Sequence, residues 1–351
     1  MGKRILIAPL NWGLGHATRC IPIINALKTN GFEPIVASDG AALSLLKKEF
    51  QNLSFIKLPS YNIIYPKKGT NLKFKLIANT PKILKAIKSE NEIVQRLVDK
   101  NEIHGIISDN RFGVYNKNIP SVYLTHQLNI LSGNSTWLST KMHLRIVKNF
   151  DECWVPDYKG DNNLSGVLGH YENTSIPTKY IGPLSRFNKI ETPKKYSLLV
   201  LLSGPEPQRT ILEKKLLSEL KKYKNQVIFI RGVIESEQQI IIQNNLKIYN
   251  FMTSSELEII LNESDLVLSR SGYTTVMDLS KLEKKSFFIP TPGQYEQLYL
   301  AKKLEEENVV PFCNQDDFNI DKLKEVKQFK GFTNIENNTN YQELFSLFQS
   351  K

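Results

Sequence analysis

Short apolar runs alternate with amphipathic segments along the first half of the chain. Apolar residues recur at helical spacing, which predicts helices over residues 17–29, 40–48, 72–88, 90–99 and 134–149. The apolar runs between them predict β-strands at 4–8, 33–37, 54–58, 105–108, 121–124 and 152–155. Because strands and helices alternate, we predict an α/β fold with a parallel, doubly wound sheet.

The pattern breaks over residues 176–192, where Ile-Pro, Gly-Pro and Thr-Pro pairs predict turns and an interdomain linker. It then restarts, with strands predicted at 197–202, 226–231, 247–250, 265–268 and 285–289. We therefore expect two Rossmann-like domains, over residues 1–185 and 186–330, with parallel sheets that face each other across a cleft. The remaining segment, 331–351, contains Phe345 and Leu347, and we expect it to form a helix that packs back on the first domain.

The most distinctive motif covers residues 268–279, which predict the end of a buried strand, a turn of small residues and the start of a helix. Ser271 and Gly272 allow the backbone to approach a ligand, and the helix that begins near Thr274 offers unpaired N–H groups and a positive dipole end to an anion. Asp278 follows on the face of Thr274 and Thr275, where its carboxylate can accept hydrogen bonds from a ribose diol. An ordinary strand-to-helix turn is the alternative interpretation.

A second motif follows the first strand, where the loop Asn-Trp-Gly-Leu-Gly-His-Ala-Thr-Arg covers residues 11–19. Ligands of doubly wound sheets bind beyond the carboxyl ends of the strands, and this loop lies at such an end. Gly13 and Gly15 permit close backbone approach, and His16 is suited to take a proton near neutral pH. Thr18 occupies the third glycine position of the dinucleotide fingerprint, which disfavours NAD binding. The alternative for His16 is a helix-start residue bonded to the backbone.

Polar residues also follow the ends of two further strands in the first half. Asp109 and Asn110 come after one strand, and His126 comes after the next. We expect them to line one cleft with His16, with Asp109 either orienting the imidazole or binding a sugar hydroxyl. Asp, Asn and His are also common in turns, so a structural role is the alternative.

Three loops of the second half add weaker candidates. Ser203 and Gly204 are predicted phosphate contacts, although Pro205 and Pro207 stiffen their loop and no Gly-Lys-Ser/Thr sequence follows. Neighbouring carboxylate and amide groups at a helix start suit sugar hydroxyls. These two groups belong to Glu296 and Gln297. Arg231 and Arg270 are candidate charge partners for a diphosphate.

The composition fits a large globular protein, with 351 residues of which 41% are apolar and 23% charged. No apolar run is long enough to span a membrane and no signal peptide is recognised, so we expect a cytoplasmic protein. The three cysteines, Cys20, Cys153 and Cys313, are too scattered for a disulfide framework or a zinc site, and we expect no bound metal.

The formal net charge is +11, and one lysine-rich stretch concentrates part of it. Its lysines are Lys67, Lys68, Lys73, Lys75, Lys82, Lys85 and Lys88. Lysines interleaved with apolar residues at helical spacing allow peripheral contact with an anionic membrane. A solvated lysine face over an ordinary core stripe is the alternative, and no DNA- or RNA-binding motif supports nucleic acid as a partner.

Taken together, these loops resemble the inverting nucleotide-sugar glycosyltransferases of the GT-B fold, in particular the MurG-like enzymes of family 28. Residues 269–279 resemble the donor-nucleotide signature of that family, with Asp278 in place of the usual ribose-binding Glu. Glu296 and Gln297 resemble the donor-sugar pair, and Phe251 the apolar position beside the base. The Ser203-Gly204 pair is similar to the diphosphate loop, and the 15–16 and 126–129 segments are similar to the acceptor-side loops.

The resemblance implies transfer of a hexose or N-acetylhexosamine from a UDP-sugar to a glycan or lipid-linked acceptor hydroxyl, at the inner face of the cell membrane. His16 would be the general base, aided by Asp109, and the acceptor side would include Gly13, Gly15, Arg19, Asn110 and His126. The chain has no Asp-x-Asp motif, so a divalent metal is not required, although magnesium can accompany a diphosphate. The Gly-x-Gly-His-x-x-Arg segment also resembles the nucleotide-sugar hydrolase of pseudaminic acid synthesis, so hydrolysis is the main alternative, and a non-catalytic nucleotide-sugar-binding subunit is another.

Overall fold

The computed structural model describes residues 2–61, 72–171, 174, 176–333 and 339–349, with the backbone alone for 72–79. Within these residues the first half of the chain forms a seven-stranded sheet in the order β3-β2-β1-β4-β5-β6-β7, with parallel neighbours. The strands are β1 (Arg4–Pro9), β2 (Glu33–Ser38), β3 (Ser54–Lys57), β4 (Gly105–Asp109), β5 (Ser121–Leu124), β6 (Glu152–Val155) and β7 (Thr178–Tyr180). The predicted strands agree closely, but β7 lies in the stretch predicted as linker.

Four helices accompany this sheet in the described part of the first half. They are α1 (Gly15–Thr29), α2 (Gly40–Glu49), α3 (Leu72–Asp99) and α4 (Thr136–Val147). The predicted separation of residues 72–88 from 90–99 is wrong, because α3 continues through both and contains Pro81. Glu90 lies within α3, and its fully buried carboxylate accepts a hydrogen bond from Arg111, so the charge at this position does not end the helix.

The second half contains a six-stranded sheet in the order β10-β11-β9-β8-β12-β13. Its strands are β8 (Tyr196–Leu201), β9 (Val227–Ile230), β10 (Ile240–Gln243), β11 (Leu246–Tyr249), β12 (Ser264–Ser269) and β13 (Lys285–Phe288). The prediction of parallel strands holds except at the unpredicted edge strand β10, which pairs antiparallel with β11. Asn244, in the turn between them, has a φ of 53°, a conformation that asparagine tolerates better than most residues.

The helices of the second half follow these strands, and a last short helix comes near the C-terminus. They are α5 (Gln208–Leu220), α6 (Ser254–Glu263), α7 (Tyr273–Lys281), α8 (Tyr295–Glu306) and α9 (Tyr341–Leu344). α6 begins with a capping box, in which Thr253 and Glu256 satisfy each other's backbone N–H groups. The core of the second sheet consists of aliphatic and Phe side chains from β8, β9, β12 and β13 packed on α5.

The described residues form two compact units. One contains the described residues of 2–61, 77–184 and 339–349, and the other contains those of 72–76 and 185–333. The C-terminal segment packs on the first sheet through Phe345 and Phe348, both fully buried, whose rings lie 5.8 Å from Phe32 and 6.1 Å from Trp154 respectively. The segment forms α9 and a 3-10 turn, and Phe348 adds a second buried ring to the predicted Phe345.

None of the helices in the described ranges combines the length and apolar character that crossing a membrane requires. Of the predicted membrane-contacting lysines, Lys67 and Lys68 lie outside the described residues, as do the side chains of Lys73 and Lys75. The last three, Lys82, Lys85 and Lys88, are exposed on α3. Membrane contact through this stretch therefore stays a prediction.

Candidate active site and nucleotide-binding loops

The carboxyl ends of β1, β4 and β5 meet at one edge of the first sheet. Pro9 pairs with Asp109, and Asp109 pairs with Leu124, so these strands end in register. The loop after β1 leads into α1, which begins at Gly15. The sheet therefore brings together three loops that are far apart in the sequence, as we expected for His16, Asp109 and His126.

A buried ionic cluster joins these loops. Arg19, on α1, donates from Nε to Asp109 Oδ2 at 2.7 Å and makes a second, shorter bond from Nη2 to Asp109 Oδ1. Its Nη1 donates to His126 Nδ1 at 2.7 Å. His16 Nδ1 lies 2.8 Å from Asp109 Oδ1, so all four side chains belong to one network.

The hydrogen-bond partners restrict where each imidazole of the cluster carries its proton. The Arg19 guanidinium can only donate, so His126 Nδ1 accepts and the proton of a neutral His126 is on Nε2. His16 Nδ1 has two neighbours of opposite character, the Asp109 carboxylate at 2.8 Å, which accepts, and Arg19 Nη2 at 2.9 Å, which donates, so these contacts fit either tautomer of His16. In the tautomer that donates from Nδ1 to Asp109, the lone pair of His16 is on Nε2, which has no hydrogen-bond partner among the described residues. The His16 side chain is 15% exposed, so a substrate hydroxyl can reach it.

Asp109 is held in its ionised form although it is fully buried. Burial by itself would raise the pKa of this carboxyl group, but the charge of Arg19, and then His16, outweigh burial and hold the pKa well below its usual range. An ionised Asp109 can accept the proton of His16 Nδ1, and this tautomer leaves Nε2 free to accept a proton. The geometry is that of a histidine base oriented by a carboxylate.

Asn110 and the two glycines of the first loop support this cluster. Asn110 has a φ of 57°, donates to Asp109 Oδ1 at 3.3 Å and accepts from the Tyr123 hydroxyl at 2.9 Å. Its side chain is thus tied into the cluster. Gly13 has a φ of 80° and a Cβ added there would meet no atom within 4 Å, so its backbone borders open space. Gly15 is the first residue of α1.

In the second unit, four strands end in register at one edge of the sheet. Ser269 of β12 pairs with Leu201 of β8 and with Phe288 of β13, and Leu201 pairs with Ile230 of β9. The predicted nucleotide loops after these strands are therefore neighbours. The loops after β8 and β9 also touch, since a Cβ on Gly232 would lie 2.3 Å from the Leu202 carbonyl oxygen.

The N-terminus of α7 is open to a ligand. Gly272 is its N-cap residue, and a Cβ added there would meet no atom within 4 Å. Thr274 and Thr275 in the first turn are half-buried, as are Ser203 and Gly204 at the end of β8 and Glu296 at the start of α8. Gly204 has a φ of 109°, a conformation that favours glycine, and it also borders open space.

Two residues that the sequence predicts as donor contacts, Ser271 and Gln297, connect the loops after β12 and β13. The buried Ser271 hydroxyl donates to the Gln297 carbonyl oxygen at 2.7 Å. Gln297 Oε1 in turn accepts from the Thr291 N–H at 2.8 Å. Thus the hydroxyl of Ser271 and the side-chain oxygen of Gln297 hold the loops after β12 and β13 together. The sequence instead predicts that Gln297 binds the sugar.

The prediction that Arg270 is a charge partner of the diphosphate is contradicted. The side chain is 1% exposed, and its four terminal N–H groups donate to the oxygens of Gln208, Ile289, Pro290 and Gln315. Buried against carbonyl groups, Arg270 tethers the loops at this sheet edge. Arg231 differs, because only its Nε donates to Glu213, at 2.8 Å, and its side chain is 33% exposed.

Asp278 lies on α7 and is bound by the start of the second unit. Ser185 Oγ donates to Asp278 Oδ1 at 2.7 Å, and the Arg186 backbone N–H also bonds to the carboxyl group. Burial raises the pKa of Asp278 to about 6, with Arg186 and Ser185 opposing the rise. Phe251, predicted beside the base, is 5% exposed at the loop after β11.

Comparison with known proteins agrees with this geometry. Residues 207–342 match the glycosyltransferase family 28 C-terminal domain. The chain is 23% identical over 347 residues to the UDP-N-acetylglucosamine–N-acetylmuramyl-(pentapeptide) pyrophosphoryl-undecaprenol N-acetylglucosamine transferase of Clostridium botulinum, covering 93% of this chain and 91% of the relative. The solved structure of Acinetobacter baumannii MurG aligns over 100% of both chains with a TM-score of 0.53 and 15% identity.

The chain is a glycosyltransferase of the GT-B fold that is similar to the MurG-like enzymes of family 28. Other GT-B glycosyltransferases share the fold: Phytolacca americana UGT2 aligns over 99% of this chain and 93% of its own with a TM-score of 0.63 and 11% identity. An uncharacterized glycosyltransferase of Methanosarcina mazei is 23% identical over 367 residues, covering 94% of this chain and 91% of the relative. The predicted recognition, fold class and enzyme class are thus confirmed.

Sequence reasoning missed a second buried network in the glycosyltransferase. Arg111 donates to Glu90 Oε1 at 2.6 Å, to the Pro9 carbonyl oxygen at 3.0 Å and to Asp39. Asn11 donates to Asp39 at 3.1 Å, so the network also holds the loop that leads to His16. Burial raises the pKa of Glu90, although Arg111 lowers it. The one feature of the sequence that could have indicated this network is Glu90, an acidic residue among the apolar positions of α3.

Proposed function

We propose that the protein is an inverting glycosyltransferase that moves a hexose or N-acetylhexosamine from a UDP-sugar to an acceptor hydroxyl in glycan or glycolipid biosynthesis. The observation that carries the proposal is the hydrogen bond between His16 and Asp109. It leaves Nε2 of His16 without a protein partner among the described residues. The printed names of the curated relatives, which include N-acetylglucosamine transferases that act on a pyrophosphoryl-undecaprenol acceptor, support it.

In the proposed reaction, His16 Nε2 accepts the proton of the acceptor hydroxyl as its oxygen bonds to the anomeric carbon of the donor sugar. The bond between that carbon and the phosphate oxygen breaks on the opposite face, and its electron pair leaves with the nucleoside diphosphate. Asp109 stabilises the imidazolium that forms, and Arg19 keeps Asp109 ionised. Because attack and departure occur on opposite faces, the anomeric configuration inverts.

The second unit is proposed to hold the donor. Backbone N–H groups at the start of α7, behind Gly272, would receive the diphosphate, and the open backbone at Gly204 would lie beside it. The part of Arg231 that Glu213 leaves exposed would add positive charge. Asp278 would bind the ribose hydroxyls, with Thr274, Thr275 and Glu296 around the diphosphate and sugar and Phe251 near the base.

Replacing Asp278 by alanine is expected to weaken binding of UDP by about 10- to 100-fold, because hydrogen bonds to a charged group are worth about 1.5–3 kcal/mol. Isothermal titration calorimetry with UDP measures this directly. Ser185→Ala is the matched control, since it removes the hydroxyl that binds the same carboxylate but leaves Asp278 in place, and we expect affinity within a few-fold of wild type. Equal affinity in wild type and Asp278→Ala would remove Asp278 from the ribose site.

Donor affinity is also expected to fall as the pH drops below about 6, the pKa of Asp278, because a protonated carboxyl group accepts ribose hydrogen bonds poorly. The probe should be a UDP-sugar, because the terminal phosphate of UDP has a pKa of about 6 and would itself make binding depend on pH in this range. Asp278→Asn should bind more weakly at pH 7.5 and show little change between pH 7.5 and 5.5. A parallel decline in both proteins would assign the pH dependence to another group.

A further inference from the structure

The free edge of the second sheet is an apolar strand. β10 (Ile240–Gln243) is the last strand of this sheet and, among the described strands, pairs with β11 alone. Ile240, Ile241 and Ile242 are 48%, 47% and 70% exposed, although their side chains alternate between the two sheet faces. Edge strands of soluble proteins usually carry a charge, a proline or a bulge that prevents further pairing. The register with β11 is continuous, and residues 238–246 contain no charged residue and no proline, so these three protections are absent from β10.

Asparagine side chains hold both ends of β10 in place. Asn250, which is 2% exposed, donates to the Glu237 carbonyl oxygen at 2.9 Å and accepts from the Gln239 N–H at 2.8 Å. In the turn that follows β10, Asn245 donates to the Tyr223 carbonyl oxygen at 2.8 Å. The edge is therefore ordered before any partner arrives, which lowers the entropy lost on pairing.

The pairing with β11 determines which backbone groups of β10 point away from the sheet. The Asn250 N–H donates to the Gln239 carbonyl oxygen, and Ile241 pairs with Ile248 two residues further on. In an antiparallel pair such positions alternate, so the odd-numbered residues of β10 direct their polar backbone groups toward β11. The N–H and C=O groups of Ile240 and Ile242 therefore point to the open edge, where a further strand would bond to them.

We propose that β10 pairs antiparallel with β10 of a second copy of the chain, about a twofold axis at Ile241. In this register Ile240 of each copy lies opposite Ile242 of the other, and their outward N–H and C=O groups bond to each other. The isoleucine side chains of the two copies then cover one another on both sheet faces. Like charges do not meet, because residues 238–244 of the two copies, which oppose one another, are all uncharged.

A second copy fits this edge better than an unrelated peptide, because β10 is complementary to itself in both its hydrogen-bonding groups and its side chains. The pairing would join two six-stranded sheets into one. It does not depend on the proposed transfer, since β10 contains none of the residues assigned to the donor or the acceptor. Because β10 is short, the contact lies at the small end of protein interfaces, and we expect a dissociation constant of about 1 to 100 µM.

The test is sedimentation equilibrium of the full-length protein at concentrations that span about 1 to 100 µM. The dimer fraction of wild type is expected to rise across this range. Ile242→Lys places a strongly hydrated charge at the edge and should weaken dimerisation by about tenfold or more. Ile242→Pro should also weaken it, because proline removes an outward N–H but no bond to β11. Unfolding midpoints close to wild type show that both variants are folded.

Ile259→Lys is the matched control, because Ile259 is 55% exposed on α6 and lies outside β10. It should leave the dimer unchanged. The register is tested by mixing an Ile240→Glu copy with an Ile242→Lys copy, since the proposed pairing sets the two new charges opposite each other. The mixture should associate several-fold more tightly than either variant alone.

Three results would overturn the proposal. The first is a wild-type protein that stays monomeric at every concentration, which would leave the edge to solvent or to a strand of another protein. The second is equal weakening of the dimer by Ile259→Lys and Ile242→Lys, which would place the contact elsewhere. The third is a mixture of the two charged variants that associates no more tightly than its components, which would exclude the antiparallel register.

Discussion

Replacing His16 by glutamine is expected to lower kcat by about 10²- to 10⁴-fold, the range typical of losing a positioned general base. Glutamine can still donate to Asp109 but offers no basic nitrogen at the position of Nε2. UDP affinity should stay within a few-fold, because the residues proposed to bind the nucleotide belong to the second unit. The assay is release of nucleoside diphosphate from the donor in the presence of acceptor, with affinity measured separately by calorimetry.

His104→Gln is the matched control for this substitution. His104 accepts a hydrogen bond from the Arg4 N–H at 3.0 Å, at the start of β1 and thus away from the carboxyl ends of the strands. The control should keep kcat near the wild-type value. If His16→Gln retained more than about a tenth of kcat, or lost UDP binding to the same extent as turnover, His16 would not be the base.

Replacing Arg111 by methionine is expected to lower the free energy of unfolding by about 3–5 kcal/mol at pH 7, the usual cost of breaking a buried ion pair from one side. Methionine fills much of the space but leaves the carboxylates of Glu90 and Asp39 without their positive partner, at 0% and 4% exposure. Urea unfolding followed by circular dichroism measures the loss. Arg96→Met, at an exposed position of α3, should change the stability by no more than about 0.5 kcal/mol.

The stability that Arg111→Met loses relative to wild type should become smaller as the pH falls. Burial already raises the pKa of Glu90 in the wild type, and removal of Arg111, whose charge lowers this pKa, should raise it further above the unfolded value. The penalty is therefore fully present above the raised folded pKa and disappears as the pH falls toward the unfolded value. Unfolding at pH 5 should recover part of the deficit. If Arg111→Met fails to fold, the same protein with Glu90→Gln added should be more stable, and a deficit independent of pH would contradict this account.

The sequence predicted the strands and the loops at their carboxyl ends well because the signal for each is local. An apolar run followed by small or polar residues marks Asp109 and Gly272 without knowledge of any other part of the chain. Parallel pairing then brings such loops to one edge, which is why His16, Asp109 and His126 were predicted together and are found together.

Partners that lie far apart in the chain could not be predicted. Arg111 bonds to carboxylates 72 and 21 residues away, and Ser185 bonds to Asp278 across 93 residues. Nothing near these positions distinguishes a buried ion pair from a solvated charge. Arg270 is another example. Its position beside a predicted phosphate loop indicates an anion-binding residue, but its N–H groups bond to carbonyl oxygens of loops that lie far away in the sequence.

The most direct test of the proposed transfer follows both products of the donor. The protein is incubated with UDP-N-acetylglucosamine, and then with other UDP-sugars, with and without a lipid extract from bacterial membranes as a source of acceptor. UDP release and the fate of the labelled sugar are then measured. We predict UDP release that requires the extract, with the sugar recovered on a lipid and its anomeric configuration inverted. Release at the same rate in water alone, with free sugar as the product, would contradict transfer and identify a hydrolase.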